Sequence, residues 1–199
     1  MRVYHWGVEP LPRSFYDRNA AKVAPALLGC ILARRVRGAY VLGRIVETEA
    51  YVGEHDLACH ARAGRTSRTE VMFGAPGHAY VYLIYGIHQM LNCVCGPGSD
   101  ANAVLIRAAE PVPESSPWLH PTARGPGNVC KAFGVKASHN RSDLCDPESE
   151  LIVLPRRGRP RIARGPRVGV DYAGKWAAEP LRFCDADSPH LSRRAQSQK

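Results

Sequence analysis

No stretch of this chain approaches the run of about 20 apolar residues that a membrane-spanning helix needs. Met1 to Pro10 likewise carries no apolar core of signal-peptide length. The expectation is therefore a protein with no membrane partner that stays in the compartment where it is made. Paired cysteine spacing is missing too. The seven cysteines, Cys30, Cys59, Cys93, Cys95, Cys130, Cys145 and Cys184, are odd in number and scattered, which fits neither a disulfide framework nor a zinc ribbon. They read as reduced thiols. The one close pair, Cys93 and Cys95, lies in an apolar run with Leu91 and Val94, where small buried thiols serve as packing residues, so no metal is assigned. Internal repeats and domain linkers are also absent, and 199 residues suffice for one core, giving a single domain over 1–199. Acidic residues are in short supply: 18 Asp and Glu stand against 27 Lys and Arg, for a net charge of +9 and a pI near 9.4. Such a field attracts polyanions, with nucleic acid the first candidate and a merely basic surface the alternative.

What is present reads as a mixed fold. Ala20, Val23, Ala24, Leu27 and Leu28 follow helical spacing within 14–28, with Gly29 as a stop and Pro25 as a kink or a sign of a poorly formed first half. Strands over 30–36 and 40–51 follow, joined by an Arg37-Gly38 turn. With a side-chain period of two, Ile45, Glu47, Glu49 and Tyr51 should share one face, so two carboxylates stand together. Both ionise only if water, a cation or a hydrogen-bond donor attends them, and a wet edge strand fits the same pattern. The segment 53–77 is longer than a plain connection in a compact domain. Tyr80, Tyr82 and Ile84 alternate with Val81, Leu83 and Tyr85, Gly86 permits a turn, and 88–95 pairs back. The run 103–109 adds an apolar strand interrupted by Arg107. A loop at 124–128 leads into a helix over 129–133 with Asn128 as its cap, and 156–167 reads as an exposed basic loop. The ends, 1–12 and 186–199, are expected to fray.

Glu49-Ala-Tyr51, His60, Tyr80 to Gly86, Asn92 and Arg107 occur in an order and spacing that resembles the alkyladenine (3-methyladenine, methylpurine) DNA glycosylases. The likeness extends from Phe15 through Arg44 to Tyr51, Ile106 to Pro111, Gly125 to Gly127, Arg167 to Val170 and Leu181 to Phe183. It implies an α+β domain with a curved, largely antiparallel sheet, flanking helices and a hairpin that projects into the minor groove of duplex DNA. It also implies removal of alkylated or deaminated purines (3-methyladenine, 7-methylguanine, hypoxanthine, ethenoadenine) by an activated water, as a monomer without a cofactor. The location is then the cytoplasm, at the nucleoid of a bacterium, or the nucleus of a eukaryote.

By that resemblance Tyr85 is the wedge that fills the space of a flipped nucleotide, where packing under its own hairpin is the alternative. Tyr51, His60 and Tyr82 stack on the base, and Asn92 excludes guanine's exocyclic amino group; a solvated loop histidine and a core amide are the plainer roles for His60 and Asn92. Glu49 is the general base, Arg107 holds the water and a phosphate, Glu47 is structural, and a backbone carbonyl near Asp185 completes the water site. No lysine lies in these motifs to form a covalent intermediate, too few helical patterns exist for an all-helical glycosylase, and the zinc deaminase signature is missing. A noncatalytic DNA- or RNA-binding module on the same fold is the rival, against which an intact Glu49 argues. Arg157-Gly-Arg-Pro160 resembles the core of a minor-groove peptide, with plain phosphate attraction as the other reading.

Overall fold

The computed structural model describes residues 9–194, apart from 99, 114 and 116. Two short helices, α1 (Arg13–Tyr16) and α2 (Ala20–Leu27), replace the single one expected over 14–28. The break lies at Asn19, whose side chain accepts from the Ala21 amide at 2.9 Å and so starts a new helix. Pro25 remains inside α2, whose Ala20, Val23, Ala24 and Leu27 are fully buried.

The strands are β1 (Ile31–Val36), β2 (Ala39–Val52), β3 (Ala79–Ile84), β4 (His88–Cys95), β5 (Asn102–Pro111), β6 (Leu151–Leu154), β7 (Ile162–Gly165) and β8 (Arg182–Asp185). They form one curved antiparallel sheet in the order β3-β4-β5-β2-β1-β6, with β8 joining β2 and β7 joining β8. Strand β2 is the branch point: its first half pairs with β1, Glu47 to Glu49 pair with β8, and β5 runs along the opposite edge. The stretch 156–167, read as a loop, thus contains a strand. With four residues, one neighbour and alternating exposure, β7 carries little apolar signal. Helix α3 (Pro126–Phe133) starts three residues before the expected point, because Pro126 takes the first helical position after Gly125, which has a φ of 100°. Asn128 lies inside that helix and donates to the Arg124 carbonyl at 2.8 Å, so it is not the cap.

The main core lies between one sheet face and helices α2 and α3 and contains Leu27, Leu28, Leu32, Phe133 and Phe183. Burying each such side chain is worth about 1.5–3 kcal/mol. Val41, Ile45, Ala50 and Val52 all enter this core. The β2–β5 ladder slips between Ile45 and Glu47, and again between Glu47 and Thr48. One extra residue at Val46 reverses the phase of the strand. Ile45 therefore faces the core, not the face of Glu47, Glu49 and Tyr51, which corrects the reading from strict alternation.

Residues 1–8 and 195–199, within the ends expected to fray, lie outside the described residues. In the described part of the C-terminal tail, Ser188 donates to Glu110 at 2.7 Å and the Ser192 amide donates to Glu47 at 2.6 Å.

Candidate active site

On the face of β2 away from the main core, Glu47 and Glu49 are both fully buried. Arg107 spans them: its Nε donates to Glu47 Oε1 and its Nη1 to Glu49 Oε2, each at 3.2 Å. The skipped register at Arg107 in β5 gives that side chain its place between the carboxylates. The charge that interrupts an apolar strand is thus the cation that two buried carboxylates require.

The two carboxylates differ in what surrounds them. Glu47 is saturated, with Arg182 Nε at 2.7 Å and the Ser192 hydroxyl at 2.8 Å on Oε1 and the Ser192 amide on Oε2. Glu49 receives the Val168 amide on Oε1 at 2.7 Å, and the Tyr51 hydroxyl at 3.0 Å and Arg107 on Oε2. Burial raises the Glu49 pKa, and Arg107, the Val168 amide and the Tyr51 hydroxyl pull it back only in part. Burial, then the Glu49 charge, pushes the Tyr51 hydroxyl well above its ordinary value, so it stays a donor.

A cavity of about 240 Å³ opens over this pair, and Tyr51, His60, Tyr82, Asn92, Arg107 and Val168 are among its walls. It is smaller than the ~300–1,000 Å³ typical of drug-sized ligands and suits one flat heterocycle. Glu49 lies just behind that wall, screened by Tyr51, Arg107 and Val168. The rings of His60 and Tyr82 meet edge to face at 4.5 Å. His60 begins the single turn His60–Ala63, where an amide has no carbonyl partner within the turn. Its Nδ1 is 2.9 Å from the Tyr80 hydroxyl, and burial, then the Arg68 charge, lowers its pKa to about 4, so the ring is neutral near pH 7. Asn92 is 3% exposed and donates to the Tyr80 carbonyl at 3.1 Å while lining the cavity. No lysine lines this space.

Tyr85 stands at the cavity rim, on the turn between β3 and β4, and is 86% exposed. With φ of 52° at Tyr85 and 71° at Gly86, the turn is of the tight type that suits hairpins. A non-glycine residue held there costs about 1–2 kcal/mol. The structure thus brings Tyr51, His60, Tyr82, Tyr85, Asn92 and Arg107 around one opening, with Glu49 behind it. It does not bring Asp185 there. That side chain accepts from Arg44 Nη1 at 2.8 Å and from the Arg161 amide at 3.2 Å. Since Glu49 pairs with Arg182, Asp185 falls three residues farther along β8; the backbone group bonded to the Glu49 carboxylate is the Val168 amide.

Sequence reasoning also missed a buried pair behind the cavity. Arg167 grips Asp56 through two bonds, at 2.5 and 2.9 Å, and its guanidinium carbon lies 4.8 Å from the centre of the Tyr51 ring. Tyr172, from the turn Asp171–Ala177, completes the rim. The run Arg167 to Val170 had stood out in the chain, but nothing there announces a backbone donor. Among the described residues, no group of three or more His, Cys, Asp and Glu is placed to hold a metal, and no helix is long and apolar enough to cross a membrane.

The chain has relatives among known proteins. The family model for methylpurine-DNA glycosylase matches residues 14–189. A Myxococcus xanthus protein is 53% identical over 187 residues, covering 92% of this chain and 93% of its own length. A Methanocella arvoryzae protein is 48% identical over 194 residues, covering 93% and 96%. One from Legionella pneumophila strain Corby is 43% identical over 183 residues, covering 92% and 98%. All three bear the name "Putative 3-methyladenine DNA glycosylase".

Proposed function

The chain belongs to the methylpurine-DNA glycosylase family, and from that premise we propose that it excises alkylated or deaminated purines from duplex DNA by hydrolysis. The observation that carries the reading is the union in one cavity of aromatic walls, a buried carboxylate and an exposed tyrosine at its rim. A base stacked inside a duplex cannot reach a carboxylate behind a cavity wall, so the nucleotide must rotate out. Tyr85 enters the gap in the stack. The base slides between Tyr51, Tyr82 and the neutral His60, with the His60 backbone amide facing an acceptor edge that adenine's amino group cannot match.

Chemistry follows from the asymmetry of the carboxylates. Glu47 is fully occupied and serves as structure. Glu49 becomes open to the cavity when a water replaces the Tyr51 hydroxyl on Oε2. The carboxylate takes a proton from that water as its oxygen bonds to the anomeric carbon, while the bond to the purine breaks and its electron pair leaves with the base. A cationic alkylated purine departs neutral; hypoxanthine departs as an anion and takes up a proton from solvent. Arg107 holds Glu49 and steadies the water. Asn92 crowds an amino group at position 2, which disfavours guanine, whose neutral base leaves poorly, more than 7-methylguanine, whose positive charge already weakens the glycosidic bond.

Duplexes carrying one defined lesion, treated with the protein and then with alkali, test this directly. Strand cleavage that depends on both lesion and alkali is expected. Cleavage without alkali would instead indicate a covalent lyase, and no cleavage with any of the four lesions would remove the proposal.

A further inference from the structure

Among the described residues, the carboxylates behind the base cavity each face an arginine. Glu47 and Glu49 face Arg107 and Arg182, and Asp56 faces Arg167. Arg68, from the loop between β2 and β3, makes no ion pair among the described residues, whereas its neighbour Arg65 pairs with Glu70 at 3.1 Å. The Arg68 guanidinium carbon lies 5.1 Å from the centre of the Tyr82 ring. It approaches from a neighbouring hollow, which it lines with Arg62, Thr66 and Tyr172, and is not among the walls of the base cavity. A base stacked on Tyr82 would thus share that ring with a cation.

The geometry points to Arg68 as a specificity-determining residue that biases the cavity toward neutral purine lesions and against cationic ones. An aromatic ring attracts a cation through the negative charge over its face. A guanidinium beside that ring draws on the same charge and repels a second cation brought to it, whereas a neutral base meets no such repulsion. The other wall behaves differently. Arg167 also covers Tyr51, but Asp56 neutralises it at hydrogen-bond distance.

This inference rests on the base-excision reading. Its test compares single-turnover release of hypoxanthine, a neutral base, with 7-methylguanine, a cationic nucleotide in DNA, from matched duplexes at saturating protein. Arg68→Gln should raise the ratio of 7-methylguanine to hypoxanthine release by about two- to fivefold, the range of an exposed cation–π contact. Arg68→Lys, which keeps the charge, should keep the wild-type ratio. An unchanged ratio in Arg68→Gln, including equal loss on both lesions from a lost phosphate contact, would overturn the inference and leave the excision reading standing. A wild-type protein that released neither base would overturn both.

Discussion

The Val168 amide donates to Glu49 Oε1 at 2.7 Å, joining the segment after β7 to a carboxylate 119 residues earlier in the chain. The donor is held from behind, since Arg167 immediately before it is gripped by Asp56 and bonds the Ala50 carbonyl on β2 at 2.9 Å. Asp56 in turn accepts from the amides of Val52 and Ala58. One buried ion pair therefore sets the position of a backbone donor, a stacking tyrosine and the loop that carries His60. A charge-assisted bond to a carboxylate is stronger than a neutral one, so a small displacement there alters the basicity of Glu49.

Glu49→Gln should abolish excision while damaged duplex still binds, because the shape is kept and the base is lost. Losing a general base costs about 10²- to 10⁴-fold. In the wild type the rate should fall as pH drops through the Glu49 pKa, with a midpoint above the ordinary glutamate value, since burial raises that pKa. The same shift has a sign for stability. A carboxyl whose folded pKa is raised contributes stability below its unfolded pKa and loses it as pH rises through the folded pKa, so the contribution of Glu49 to the wild-type melting temperature should be larger in acid and decline as pH rises past its raised pKa. Single-turnover excision within about threefold of wild type, near 0.6 kcal/mol, removes Glu49 from the chemistry.

Asp56→Asn should act on both stability and rate. Removing one partner of a buried pair costs about 3–5 kcal/mol, and the freed Arg167 no longer fixes Val168. In the fraction that folds, the midpoint of the pH–rate curve should move farther up, because the amide that holds the Glu49 pKa down is loosened. Thermal melting and single-turnover rates across pH separate the two effects. A lower melting temperature with an unmoved midpoint would confine Asp56 to folding.

Much of this was legible before the structure. The alternation at Tyr80 to Ile84 appears as read, with Tyr80 and Tyr82 beside the cavity and Val81 in the main core, because a strand without irregularity keeps a period of two. The same rule failed at Ile45, since a bulge depends on how two strands meet and leaves no mark in one of them. Asn19 and Asn128 show the limit of local signals: both are good caps, yet Asn19 divides a helix where periodicity reads on, and Pro126 outranks Asn128. Val168 was hidden for another reason. Its contribution to the site is an amide, which every residue but proline possesses. Arg68 and the Arg167–Asp56 pair acquire meaning only through proximity to tyrosines far away in sequence.

Tyr85→Ala should weaken the extruded state, and more so for a lesion with an intact partner than for one in a bulge. Unstacking a paired base costs a few kcal/mol, which a side chain inserted into the gap offsets in part. Tyr85 is available for this because it is 86% exposed, and the strained turn that holds it gains nothing for the core. Binding of the two duplexes, measured with the Glu49→Gln background to stop turnover, supplies the comparison. Equal weakening on both would argue that the side chain only supports its own hairpin.

Asn92 offers the sharpest test of selectivity because two plain roles compete for it. Its amide donates to the Tyr80 carbonyl from the adjacent strand, so part of the side chain serves the fold. The same residue lines the cavity, where bulk opposite the edge of a purine would collide with an amino group at position 2. Asn92→Ser keeps a polar group but shortens it. If the filter is steric, release of guanine should rise relative to hypoxanthine by about 10- to 200-fold, equivalent to ~1–3 kcal/mol, the usual worth of one small group in a pocket. If the amide only ties β4 to β3, both rates should fall together with the melting temperature. The ratio of single-turnover rates in matched duplexes, taken on a variant shown to be folded, decides between them. Undamaged guanine far outnumbers any lesion in a genome, so even the lower end of that range would turn a repair activity into a source of abasic sites.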